Sequence, residues 1–155
     1  MDVSSIATRR TYTIKEAAAL SGLPASTLRY YESIGVIAPV SRGASSGHRV
    51  YDEDDLDQLT WVACLSATGL SVSDMKQYVA NGHRGPEAAA EQVALLEAQA
   101  ARLEREAEHL KLRQRYVSLK VAYWSAVAAG DITAADRLSA ESRALIDELT
   151  HHKNH

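Results

Sequence analysis

Between residues 93 and 124 an apolar pattern recurs every seven residues. Val93, Ala100, Ala107, Gln114 and Val121 hold one recurring position, and Leu96, Leu103, Leu110, Val117 and Trp124 hold its complement. An a/d seam sustained over five heptads and flanked by Glu and Arg specifies a long helix that pairs with another helix. Such a helix cannot bury its seam alone. No other segment carries a matching long helix, so residues 86–124 are expected to join two copies of the chain as a homodimer. The small alanines at a let two helices approach closely. Gln114, the polar a position, is suited to fixing register.

A chain of 155 residues has room for one domain and an extension. Phe is absent and Ala abundant, which favours helix. The breaker cluster Asn81-Gly82-His83-Arg84-Gly85-Pro86 precedes the seam, and Gly130-Asp131 ends its helix. A last helix opens at Thr133-Ala134-Ala135-Asp136 and runs through Leu138, Leu145, Ile146 and Leu149. The expected division is therefore an N-terminal domain over 1–81, a linker and dimerisation helix over 82–130, and a short C-terminal helix and tail over 131–155. His151, His152 and His155 read as a frayed tail, and no metal is assigned to them.

Ahead of the seam, the spacing predicts two short helices and a hairpin. Thr13-Ile14-Lys15-Glu16 fits a capping box opening a helix through Leu20, and residues 1–11 before it, with Arg9 and Arg10, read as a frayed start. After the turn Ser21-Gly22-Leu23, a second helix is expected to open with Pro24 at its first position and to close before Gly35. Helix, short glycine turn, helix is the arrangement whose second helix enters the DNA major groove. That second helix carries Thr27-Leu28-Arg29-Tyr30-Tyr31-Glu32, a guanidinium beside two phenols. Each can bond a phosphate, and Arg can fork onto a guanine edge. Ser26 and Thr27, on its first turn, can bond phosphates or bases. Val36 to Val40 is apolar but interrupted by Pro39, so a strand there is an edge. With His48-Arg49-Val50-Tyr51 it is expected to form a small hairpin wing tipped by Arg42 and Arg49. Asp52, with Asp55 three residues on, caps a helix whose stripe is Leu56, Leu59, Val62 and Leu65 and which Gly69 ends. Ser71-Val72-Ser73-Asp74 starts another through Tyr78 and Val79.

Net charge is −3 and the isoelectric point is near 6.1, which at first argues against nucleic acid. Binding uses a face, however. Residues 1–50 hold six bases (Arg9, Arg10, Lys15, Arg29, Arg42, Arg49) against three acids (Asp2, Glu16, Glu32). Five acids follow between Asp52 and Asp57. No apolar run approaches the ~18 residues of a membrane span, and no secretory signal is evident, so a cytoplasmic place is expected. A single cysteine, Cys64, excludes an internal disulfide framework and a four-cysteine metal site. No Ser/His/acid arrangement, phosphate loop or metal-ligand spacing points to an enzyme or a cofactor.

These residues, taken together, resemble the MerR family of transcription regulators over about residues 11–124. The resemblance rests on Thr13-Ile14-Lys15-Glu16-Ala17-Ala18, on Thr27-Leu28-Arg29-Tyr30-Tyr31-Glu32-Ser33-Ile34-Gly35-Val36-Ile37, on the wing Arg49-Val50-Tyr51, and on Gly69-Leu70-Ser71-Val72-Ser73-Asp74-Met75-Lys76. It implies a mainly α protein: a winged helix-turn-helix with a small β-hairpin wing, a long helix forming an antiparallel coiled-coil dimer, and a short C-terminal helix. It also implies promoter DNA and RNA polymerase as partners, with the dimer bending and untwisting the DNA in response to a signal. The candidate DNA-contacting set is Thr13, Ser26, Thr27, Arg29, Tyr30, Arg42, His48, Arg49 and Tyr51. Tyr31 is expected in the packing, Tyr51 as support for Arg49, and His48 stands where many members carry Tyr.

The family's metal-sensing and iron–sulfur members use cysteine clusters that this chain lacks, and its drug-sensing members append a large ligand domain. About 25 residues follow Gly130, too few to enclose a drug-sized pocket. Cys64, off the Leu59/Val62 stripe, resembles the lone cysteine of the aldehyde- and nitrosative-stress-responsive subgroup. That resemblance implies a sensor thiol, alkylated by an aldehyde or quinone or else oxidised. The alternatives are a regulator answering a non-covalent ligand or none, and a coiled-coil interaction module that does not touch DNA.

Overall fold

The computed structural model describes residues 9–151. The start over 1–8 and the tail residues His152 and His155 lie outside the described residues. Contacts divide the chain into two compact units, Met1–Leu95 and Leu96–His155.

The first unit opens with α1, Ile14–Ser21. Thr13 and Glu16 make the expected capping box: the Glu16 amide donates to the Thr13 hydroxyl and the Thr13 amide to the Glu16 carboxylate, each at 3.2 Å. Gly22, at φ 76°, ends the helix in the left-handed region that glycine enters freely. The next helix, α2, spans Ala25–Ile34. Pro24 is its N-cap and not its first helical residue: ψ is 147°, and its carbonyl accepts the first helical bond from Leu28. At the other end Gly35 turns left-handed, and the Tyr31 carbonyl accepts from the amides of Val36 and Ile37.

That turn explains why residues 36–40 are not the strand expected there. Val36, Ile37 and Val40 are drawn into the core, and Pro39 has no amide to donate. The strand begins one residue later, as β1, Ser41–Arg42, pairing antiparallel with β2, Arg49–Val50. Arg42 faces Arg49 in the ladder. The two arginines therefore stand at the stem of the wing, and the exposed Ala44, Ser45 and Ser46 form its tip. Reciprocal backbone bonds between Tyr12 and Tyr51, at 2.8 and 2.9 Å, tie the wing to the segment before α1.

Next come α3, Glu53–Ala67, capped by Asp52 and Asp55 as expected, and α4, Val72–Arg84, capped by Ser71. Leu59 and Val62 of α3 are buried, with Leu56 and Leu65 packed beside them. These residues close a core with Ala17, Leu28, Tyr31, Tyr51 and Met75. Fully burying one such side chain contributes about 1.5–3 kcal/mol. The cluster from Asn81 does not break α4. Asn81 is buried and held by side chains: Gln77 donates to it at 2.7 Å, and it donates to Gln92 at 3.1 Å. Gln92 in turn donates to the Tyr78 carbonyl at 2.8 Å. The chain turns only at Gly85, through a 3-10 segment, Gly85–Ala88.

The long helix α5 covers Ala89–Ala128, 40 residues without interruption. In the second unit it is followed, after a turn at Gly130, by α6, Ile132–His151. The Asp131 carboxylate caps α6 through the Ala134 amide at 3.0 Å. Ala135, Ser142 and Leu145 of α6 are buried, and Leu112, Tyr116, Leu119, Tyr123 and Ala126 of α5 are half-buried. Those α5 positions do not coincide with the heptad seam. Val93, Leu103, Leu110, Val117, Val121 and Trp124 are all exposed, Trp124 by 64%. The last helix thus covers a second apolar face and leaves the seam open. No described helix is long and apolar enough to cross a membrane.

Candidate nucleic-acid interface

The outer face of α2 is set by helical spacing. Leu28 and Tyr31 point into the core, which leaves Ser26, Arg29, Tyr30 and Ser33 exposed on the opposite side. Thr27 lies between the two faces, half-buried. Tyr31 is anchored through its hydroxyl to the Ser66 hydroxyl at 3.3 Å, so packing is its role, as expected. Tyr30 is 52% exposed and its phenol is free to reach outward.

Beside this face lies a cavity of about 240 Å³ lined by Thr13, Ile14, Lys15, Arg29, Arg42, His48 and Arg49. The start of α1, the middle of α2 and the wing hairpin meet here. Five of the nine candidate residues named from the sequence are brought together in it. Lys15 was missed, although its place on the first turn of α1, two residues past a cap, puts it beside Thr13. The N-terminal end of α1 adds the partial positive charge of its dipole. Converging cations at a helix N-terminus make a site for phosphate groups.

Two members of the set differ from expectation. Tyr51 is fully buried and belongs to the core, which leaves it no exposed surface in the free chain and fits support for Arg49; its hydroxyl has no hydrogen-bond partner among the described residues. Burial raises its phenol pKa, against the lowering effect of the Arg49 charge. Arg49 lines the cavity but is already paired, its Nε donating to Glu32 Oε2 at 2.7 Å. Arg42 is exposed and donates to the Gly47 carbonyl at 3.3 Å. Desolvation alone would raise the pKa of the Glu32 carboxyl. The Arg49 hydrogen bond, the Val40 amide and the charges of Arg49 and Arg42 outweigh it and hold that pKa below the ordinary value.

Cys64 is exposed on α3, apart from the residues lining the basic cavity. Among the described residues no cluster of three or more His, Cys, Asp or Glu is arranged to hold a metal. A second cavity, of about 380 Å³, lies between α3, α4 and the first turn of α5. Gln58, Trp61, Tyr78, His83 and Gln92 line it, with the Trp61 and Tyr78 rings 5.7 Å apart. Sequence reasoning looked for such a space only after Gly130. Its lining is scattered over three helices, so helical spacing within each one does not show that they meet.

Residues 12–82 match the model of the MerR HTH family regulatory proteins. An uncharacterised HTH-type transcriptional regulator of Haemophilus influenzae is 31% identical over 127 residues, covering 81% of this chain and 93% of that one. The HTH-type transcriptional regulator AdhR of Bacillus subtilis is 43% identical over 65 residues, 42% of this chain. That match spans about half of AdhR, 46% of its length. Among solved structures, HiNmlR, a MerR family regulator lacking the sensor domain and bound to promoter DNA, superimposes with a TM-score of 0.65 at 31% identity. It covers 81% of this chain and 96% of its own. A MerR family regulator from Bacillus thuringiensis, 25% identical, gives a TM-score of 0.58 and covers 73% of this chain and 98% of its own. The relatives are transcriptional regulators and not enzymes. Capped helices, wing, long helix and these likenesses agree: the chain belongs to the MerR family of helix-turn-helix transcriptional regulators.

Proposed function

We propose that this regulator binds promoter DNA as a homodimer and alters its bend and twist when signalled. The observation that carries the reading is the convergence of Lys15, Arg29, Arg42 and His48 with the start of α1 in one cavity beside the outer face of α2. Ser26, Thr27 and Tyr30 present themselves to the groove, and Arg29 reaches the phosphates beside it. Thr13, Lys15, Arg42 and His48 lie against the backbone. The structure of HiNmlR on promoter DNA supports the same use of this fold. Work of this kind is done in the cytoplasm, beside RNA polymerase. Deforming a site costs a few kcal/mol, offset by the contacts the deformed DNA allows.

The division of labour follows the chain. Residues 1–81 read DNA, the linker and long helix within 82–130 dimerise, and α6, within 131–155, covers the outer side of that helix. The exposed seam supports the dimer, and the charges beside it support an antiparallel one. Taking Val93 as a, the flanking e and g positions hold Glu97, Glu104 and Glu106 in the first half and Lys111, Arg113 and Lys120 in the second. Antiparallel pairing sets acid against base, Glu104 facing Lys111 and Glu106 facing Arg113 of the second copy, whereas parallel pairing leaves Arg113 and Lys120 facing serines.

For the signal, Cys64 is the covalent candidate. Its exposed thiol would add through sulfur to the electrophilic carbon of a reactive aldehyde or quinone, forming a C–S bond as the π bond opens, with the thiol proton passing to the electrophile. The second cavity favours another reading, a small aromatic ligand held non-covalently against the paired rings of Trp61 and Tyr78. In-vitro transcription with and without an aldehyde separates them. A thiol switch responds in wild type and is silent in Cys64→Ser, and equal responses assign the signal to the cavity. DNA binding itself is tested by affinity for the promoter duplex across salt concentrations, where Arg29→Glu is expected to abolish binding.

A further inference from the structure

Arg49 does not behave like the other arginines of the basic cavity. Arg29 and Arg42 are exposed, whereas the Arg49 side chain is 19% exposed and its Glu32 partner 14%. The same carboxylate works on both oxygens. Oε2 accepts from Arg49 on β2 at 2.7 Å, and Oε1 accepts from the Val40 amide, next to β1, at 3.5 Å. Glu32 sits on the last turn of α2. One side chain therefore ties the helix that faces the groove to β2 and to the residue that leads into β1. An acid paired to a residue that lines a phosphate-binding surface opposes binding by its charge, so its presence there requires another use.

We propose that Glu32 is a positioning residue for DNA recognition and that Arg49 acts as its strut, holding the wing at a fixed distance from α2. On this account the backbone contacts are made by Lys15, Arg29 and Arg42. The inference rests on the DNA-binding reading above and changes the role of Arg49 within it. Strut and clamp differ in sign. If Arg49 clamps a phosphate, neutralising Glu32 frees it and removes a repulsive charge, and affinity rises. If Arg49 is a strut, neutralising Glu32 loosens the wing, and affinity falls.

The test is a set of binding isotherms on the protein's own promoter duplex at several salt concentrations. It compares wild type, Glu32→Gln, Arg49→Ala, the double variant and Arg29→Ala. The expected result is that Glu32→Gln and Arg49→Ala each weaken binding about tenfold, that the double variant is no weaker than either, and that all three keep the wild-type salt slope. Arg29→Ala, a phosphate contact, lowers the slope by about one. A slope lowered by about one in Arg49→Ala, with tighter binding in Glu32→Gln, overturns the strut. Amide hydrogen exchange in the free protein gives a readout that needs no DNA. Glu32→Gln should speed exchange at the Gly43 amide of the wing while leaving the α3 core amides unchanged, and unchanged wing exchange contradicts the proposal. Wild-type protein that shows no salt-dependent affinity contradicts the DNA reading itself, and wing exchange then still decides whether Glu32 holds the wing.

Discussion

The acid–base pair of Glu32 and Arg49 sets a dependence on pH that belongs to one carboxyl group. The Glu32 pKa lies below its ordinary value in the folded chain, because the Arg49 and Val40 bonds outweigh its desolvation. The folded state therefore takes up this proton less readily than the unfolded one. The contribution to stability is fully present above the unfolded value of about 4.3 and is lost as pH falls through the lower folded value. Wild type should accordingly be more stable than Glu32→Gln at neutral pH, with the difference shrinking below about pH 4.3 in acid titrations of thermal unfolding. A difference that persists unchanged into strong acid would show that the carboxylate charge is not its source. At this scale the sequence named Arg29, Tyr30, Arg42 and Arg49 by chemical type. It could not show that Arg49 was already engaged, since Glu32 lies 17 residues away and meets it only through the hairpin. For Tyr51, expected both in the contact set and as support for Arg49, burial favours support; alternation along a short strand does not say which face the core will cover.

Single elements were largely readable where their signals are local. The Thr13/Glu16 and Asp52/Asp55 boxes each act within one turn, and both appear as the sequence spelled them. Thr13→Ala is expected to lower stability by about 1 kcal/mol through loss of the cap. Because Thr13 also lines the basic cavity, promoter affinity should fall with it; denaturant unfolding and a binding isotherm on the same sample check both. Boundaries decided by tertiary partners were not readable. The strand expected from Val36 gave way to burial of Val36, Ile37 and Val40. The break expected at Asn81 gave way to a side-chain chain through Gln77 and Gln92, whose far end lies beyond the next turn.

For the whole molecule, the heptad spacing by itself requires a partner for the seam, and the described chain leaves that seam exposed even with α6 in place. The unforeseen part is that α5 carries two apolar faces, one for α6 and one for a second copy. Charge then chooses orientation. Reversing Lys111 and Arg113 to Glu should set acid against acid across the antiparallel seam and weaken the dimer at least tenfold in sedimentation equilibrium. Adding Glu104→Lys and Glu106→Lys to the same chain should restore it. A dimer unaffected by the first pair of changes would remove the charge argument for orientation.

The most direct measurement of the central claim is a titration of the full chain onto its own promoter duplex, reading affinity and stoichiometry together across salt. A dimer on DNA gives two chains per duplex, affinity that falls steeply and linearly on logarithmic axes as salt rises, and loss of binding in Arg29→Glu. One chain per duplex, or an affinity indifferent to salt and to Arg29, would contradict it.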